Sequence, residues 1–291
     1  MSDPTRLTVR KTYKLFVGGA FPRSESGRYR TVTTRVGDMA IHVARASRKD
    51  LRDAIGSARK AQAGWAARTA FNRGQILYRM AEMLESRAES IAARLHEAQG
   101  VDDAAAEVAE AIDRLVWYAG WTDKFAQLFS SVNPVAAPFF NFSVPEPTGV
   151  VVVFAPRNSA VLGLVSAIAP VIATGNSVVV VVDHDAPQLA IELAEVFATS
   201  DLPGGVVNLL TAEPGELVEH AAMHMDVDAI ALFGPDVDTR RLVETKGAET
   251  VKRVKVFDDP ARDAWNAPAT RSPYWMLPFI ETKTAWHPIG V

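Results

Sequence analysis

One stretch limits what this chain can fold into. Residues 150–182 read VVVVFAPRNSAVLGLVSAIAPVIATGNSVVVVV, two β-branched runs around an apolar segment rich in alanine and leucine. A strand with one wet face alternates apolar and polar side chains. The runs Val150–Phe154 and 178–182 do not alternate, which marks parallel strands covered by helices on both faces. Residues 160–174 are long enough for a crossover helix, and Gly175-Asn176 supply residues that end one. The stretch is therefore predicted as one βαβ unit. Between its first strand and its helix lies a polar loop, Ala155-Pro156-Arg157-Asn158, at a strand's C-terminal end, where open α/β sheets bind ligands.

The same alternation continues downstream. Helices are predicted over 188–199, 214–223 and 237–246, and strands over 206–210, 229–233 and 251–257, giving a doubly wound parallel α/β sheet. Upstream, 14–17 reads as a short strand and 32–43 as a hairpin-like pair. Ser47 and Asp50 have the spacing of a capping box ahead of a helix with Leu51, Ala54, Ile55, Ala58, Ala61 and Trp65 on one face. Apolar residues stepping by three or four predict long helices over 76–99 and 103–129. Residues 133–147 interleave prolines with Phe139, Phe140 and Phe142. Proline is confined to sheet edges and strand ends, so this segment reads as an extended arm and not a central strand. After Asp258-Asp259-Pro260 the pattern breaks into a proline-punctuated loop, and 279–286 closes the chain as a strand-like run.

Composition removes several kinds of chemistry. The 291 residues contain no cysteine, hence no disulfide, thiolate metal site or cysteine nucleophile. A net charge of −3 gives no electrostatic footprint for a nucleic-acid partner. The polar, basic N-terminus lacks an apolar signal core, and Arg157, Asn158, Pro170 and Asn176 interrupt the only stretch resembling a membrane span. A cytoplasmic protein with no membrane contact is expected. No G-x-G-x-x-G, Walker A, H-E-x-x-H or G-x-S-x-G motif is present. His220 and His224, near Asp226 and Asp228, imitate a metal pair but fall at a helix end where surface histidines are common. Asp183-His184-Asp185 reads first as a solvated turn. Asn158 can donate to a developing oxyanion or bond its own backbone, and spacing alone does not choose.

Several segments together resemble the aldehyde dehydrogenase superfamily. Residues 14–19 (KLFVGG) with Ser26-Gly27 are similar to its opening hairpin, and 117–124 (WYAGWTDK) to the helix before its arm. Glu146-Pro147-Thr148-Gly149-Val150 resembles the start of its first nucleotide-binding strand. Pro156-Arg157-Asn158 stands where the family has Pro-Trp-Asn, and 202–208 (LPGGVVN) matches its Leu-Pro-x-Gly-Val-x-Asn. That nucleotide domain lacks the usual glycine fingerprint, in keeping with its absence here.

The departures set what the resemblance implies. Asn158 falls on the family's oxyanion asparagine, without a nucleophile to serve. Pro156, Arg157, Val181, His184 and Gly234 fall on cofactor-binding positions, with Val181 at the ribose-gripping lysine and Phe257 at the general-base glutamate. Beyond Phe257 the family's catalytic domain is replaced by a short linker. The implied organisation is 1–130 for the N-terminal hairpins and helices, 131–147 for an oligomerisation arm, 148–257 for a Rossmann-like core, 258–278 for a linker, and 279–291 for a terminal oligomerisation strand. The resemblance is to the degenerate second module of two-module aldehyde dehydrogenases. It implies a non-catalytic subunit that binds neither NAD nor NADP and assembles with a full-length aldehyde dehydrogenase, a homo-oligomer being the other assembly open to it. Phe139, Phe140, Phe142, Phe279, Ile280 and Trp286 are the expected partner surface. In the alternative, the chain holds NAD(P) for aldehyde oxidation and a partner supplies the cysteine.

Overall fold

The computed structural model describes residues 11–183 and 185–290, so His184 lies outside the described residues. In chain order the elements are β1 (Tyr29–Thr33), β2 (Ala40–Ala44), α1 (Arg48–Ala66), α2 (Ala70–Glu85), α3 (Ala88–Gln99), α4 (Ala104–Trp121) and α5 (Phe125–Phe129). Then come β3 (Ser131–Asn133), β4 (Phe139–Pro147), β5 (Val150–Phe154), α6 (Leu162–Ala173), β6 (Ser177–Val182), α7 (Gln188–Ala198) and β7 (Val207–Thr211). The chain continues through α8 (Pro214–Met223), β8 (Ala229–Phe233), α9 (Val237–Ala248) and β9 (Arg253–Phe257), and ends on β10 (Ile280–Pro288).

The valine runs form the sheet they imply. Five parallel strands lie in the order β7-β6-β5-β8-β9, and every residue of β5, β6, β7 and β8 is buried. Alternate valines serve two cores. Val151, Val153, Val178 and Val180 join the cluster that includes residues of α2, α3, α4, α6 and α7, while Val150, Val152, Val179 and Val181 join the one that includes residues of α1, α8 and α9. The chain runs outward from β5 through β6 to β7, then crosses back to place β8 on the other side of β5. The topological switch point therefore lies between the C-terminal ends of β5 and β8, where a doubly wound sheet opens its ligand crevice.

Local signals hold where one residue decides the geometry. Asp50 closes the capping box, its backbone N–H donating to Ser47 and its carboxylate accepting from the Ser47 N–H. Longer-range expectations need correction. The helix expected over 76–99 breaks at Ser86-Arg87, and the one over 103–129 breaks at Thr122, whose hydroxyl turns back onto the Ala119 carbonyl. Residues 14–17 form only an isolated bridge from Phe16 to Leu209 and one from Val17 to Ala20. Val251 precedes β9, in a turn with φ of 56°.

The arm is also more ordered than proline content suggests. β4 is the central strand of a second sheet, β10-β4-β3, with antiparallel neighbours on both sides. Pro145 and Pro147 are tolerated because β3 pairs only with Asn141–Ser143. Beyond that short partner, β4 is bonded on one side only, and the missing amide hydrogens break no ladder.

Candidate functional site

The loop after β5 reaches the switch point, and residues from the end of the chain's parallel sheet meet it there. The Asn158 side-chain amide donates to the Asp259 carbonyl oxygen at 3.0 Å, and the Arg157 backbone N–H donates to Asp259 Oδ2 at 2.7 Å. Asn158 is thus neither a donor aimed into open space nor a turn residue bonded to its own backbone. Asp259 Oδ1 is buried without a partner, and loss of solvent pushes its carboxyl above the usual carboxylate range, although the backbone N–H groups of Arg157 and Asn158 and the Arg157 charge oppose the shift. Gly234, at the end of β8, permits this approach: a Cβ there would come within 2.9 Å of the Asp259 Cβ, and its φ is 53°.

The remaining candidate residues fall into distinct settings. Pro156 is buried; Arg157 projects outward, its guanidinium paired with Asp183 at 3.0 Å, and Asp183 also receives Arg30 at 2.9 Å. Val181 is 1 % exposed, lies between Phe154 and Leu210 in the sheet and belongs to the same core cluster, so the position of a ribose-gripping lysine is core. Phe257, at the general-base position, lies 4.9 Å from the Phe233 ring and 4.8 Å from Trp275, nearly parallel to both. The residues present do not fit a dinucleotide: the gripping side chain is an apolar core residue and Asp259 holds the loop. His224 Nδ1 accepts the Asp226 N–H and Asp228 caps the start of β5, and among the described residues no group of three or more His, Asp or Glu could hold a metal ion.

The segment expected as a linker over 258–278 is anchored in the core by Trp265, Thr270 and Met276, while most of its other residues stay at the surface. It winds through short 3-10 turns, burying Trp265 completely and Met276 with it. Arg114, 1 % exposed on α4, donates to the Trp265 and Thr270 carbonyls at 2.9 and 2.6 Å and to Ser166 at 2.6 Å. Sequence reasoning missed this helix face. Its signal was available: Glu107, Arg114 and Tyr118 are polar residues spaced by seven and four within an apolar helical stripe, a pattern that places them side by side toward something buried.

The expected partner surface also divides. Phe279 and Ile280 are 2 % and 5 % exposed and belong to the central core, because the chain turns inward just before β10 pairs with β4. Phe139, Phe140 and Trp286 are exposed. Register separates the aromatics: Trp286 faces Asn141 and Pro288 faces Phe139, whereas Ala285 faces Phe142 and His287 faces Phe140. Directly opposed residues share a face. Phe139 with Trp286 therefore marks one face of the small sheet, and Phe140 with Phe142 the other.

Comparison with known proteins agrees with this architecture. The aldehyde dehydrogenase family model matches residues 21–256, and the chain belongs to that family. An aldehyde dehydrogenase of Alternaria alternata is 30% identical over 87% of this chain and 52% of its own length. One of Aspergillus niger is 28% identical over 87% and 51%. The NAD+ complex of a Bacillus cereus aldehyde dehydrogenase superposes with a TM-score of 0.76 at 23% identity, covering 85% of this chain and 51% of that one. The chain thus spans about half the length of these relatives. No helix among the described residues is long and apolar enough to cross a membrane.

Proposed function

We propose that this chain is a non-catalytic member of the aldehyde dehydrogenase family that assembles with a full-length NAD(P)-dependent aldehyde dehydrogenase through its small sheet. The observation that carries the reading is the outer edge of β10: the strand is nine residues long, pairs among the described residues with β4 alone, and carries Trp286, 59 % exposed. An unpaired strand edge with aromatic side chains invites another strand. The resemblance supports the choice of partner, since the family's arm and terminal strand extend a neighbour's catalytic-domain sheet. Here only residues 258–279 separate β9 from β10, so the donor strand is present while the acceptor sheet is not interposed. Aldehyde oxidation through a thiohemiacetal needs a thiolate, and the chain contains no cysteine. The alternative, in which this chain holds NAD(P) for a partner's cysteine, loses support at Asn158, whose amide is already bonded to Asp259.

Co-expression with a full-length aldehyde dehydrogenase from the same host, followed by size exclusion and native mass spectrometry, tests the reading. A complex containing both chains is expected. A well-behaved monomer or a homo-oligomer that ignores the enzyme would sink it.

A further inference from the structure

Helix α6 follows β5 and helix α9 follows β8, so their N-termini flank the switch point. Free amides and the helix dipole make such ends the seats of nucleotide phosphates in open α/β sheets. Both ends here hold a carboxylate of the chain itself. Glu107 reaches in from α4, 6 % exposed, and its Oε1 accepts the Ser159 hydroxyl at 2.8 Å and the Val161 and Leu162 N–H groups at 3.2 and 3.3 Å. Its Oε2 accepts Arg262 Nη1 at 2.6 Å, and Arg262 Nη2 donates to Gln99. At α9, Asp236 accepts the Thr239 N–H at 2.7 Å, and that bond holds its carboxyl below the usual range. Asp259 occupies the loop between them.

We infer that residues 258–279 are a built-in strap that takes the place of a dinucleotide, with Glu107 and Arg262 together filling the anion seat at α6. An incoming pyrophosphate meets three carboxylates, Glu107, Asp236 and Asp259, while two nearby arginines are already engaged, Arg262 by Glu107 and Arg157 by Asp183. The strap is fastened along one face of α4, by Glu107 to Arg262, by Arg114 to the Trp265 and Thr270 carbonyls, and by the Tyr118 hydroxyl to the Ser272 carbonyl at 3.3 Å. Opening it strands buried polar groups without partners, which opposes displacement by a ligand. Trp265 and Trp275 close the apolar side against Phe233 and Phe257. None of this depends on a partner subunit, so the strap and the assembly proposed above fail or stand separately.

The test is thermal unfolding of the full chain in NAD, NADP and inorganic phosphate, with Glu107→Ala alongside. The wild-type midpoint is expected to ignore all three. Glu107→Ala empties the seat while leaving Arg262, Ser159 and the helix amides, so its midpoint is expected to fall and to rise again in phosphate, by about 3 °C at ten times the dissociation constant. A wild-type midpoint raised by either dinucleotide overturns the inference, as does a Glu107→Ala protein indifferent to phosphate. Arg262→Gln gives a reading that does not depend on that variant folding: thermolysin is expected to cut within 258–279 faster than in wild type, and an unchanged rate overturns the strap.

Discussion

The two larger sheets of this molecule are built from opposite materials and left in opposite states. The parallel sheet is built around the valine runs of β5 and β6, buried on both faces, and the loop at its C-terminal end is bonded to Asp259 beside the stacked rings of Phe257 and Trp275. The small antiparallel sheet is rich in phenylalanine, threonine and proline, carries a polar row of Asn133, Asn141, Ser143 and Thr284, and among the described residues leaves the outer edge of β10 unpaired. A fold of this class receives small ligands at the first place and neighbouring strands at the second. The contrast sets a crevice whose loop is held by the chain's own Asp259 against a strand edge with no neighbour among the described residues.

The largest expected effect belongs to the closed side. Trp265→Ala should cost about 3–5 kcal/mol in urea unfolding, the usual penalty for emptying a buried tryptophan site; a cost near zero would show that the strap is not core and would erase the contrast. Val181→Lys restores the lysine of the family's ribose grip, but it places an unpaired charge between Phe154 and Leu210 in the apolar core. We expect a loss of about 3 kcal/mol or more with no nucleotide binding in calorimetry; a stable variant that binds NAD would reopen the crevice as a site.

A pH experiment sharpens the same side. Burial, the leading cause for both, pushes the Tyr13 and Tyr118 hydroxyls above their ordinary range. A raised folded-state pKa contributes stability that is complete below the unfolded value, about 10, and is lost as pH climbs toward the folded one. Stability should therefore fall by up to about 1.4 kcal/mol per pH unit per tyrosine above that value, and Tyr118→Phe should remove roughly one tyrosine's share of the slope. An unchanged slope would show that Tyr118 ionises as freely folded as unfolded. The smallest effect on stability belongs to the open side. Trp286→Ala and Phe140→Ala should change unfolding free energy by no more than about 0.5 kcal/mol, yet abolish co-elution with a full-length aldehyde dehydrogenase. Retained co-elution would move the joining surface elsewhere.

Much of the frame was legible because its signals are local. A short β-branched run without polar alternation reads as a strand covered on both faces, and β8 and α8 have the bounds that periodicity assigned. The break between α2 and α3 was not legible: Ser86 and Arg87 are ordinary helix residues, and no glycine or proline marks the turn. The central place of β4 was hidden because proline reports lost donors, while the length of the neighbouring strand decides whether those donors were needed. Phe279 and Ile280 looked like surface because alternation in 279–286 says which residues share a face, not where the strand begins to leave the core.

The sequence by itself determined that this chain makes a doubly wound sheet, that Asn158 stands at its ligand end, and that no thiolate is present to do chemistry there. Each of these follows from residue type and spacing within a few turns of chain. Whether that end is open was decided only in three dimensions. The groups that close it come from far along the sequence: Asp259 is 101 residues from Asn158, and Arg262 is 155 from Glu107. Periodicity carries no information about such pairings, because a proline-punctuated segment has no repeating face, and its path is fixed by the buried hydrogen bonds and aromatic contacts it finds on arrival.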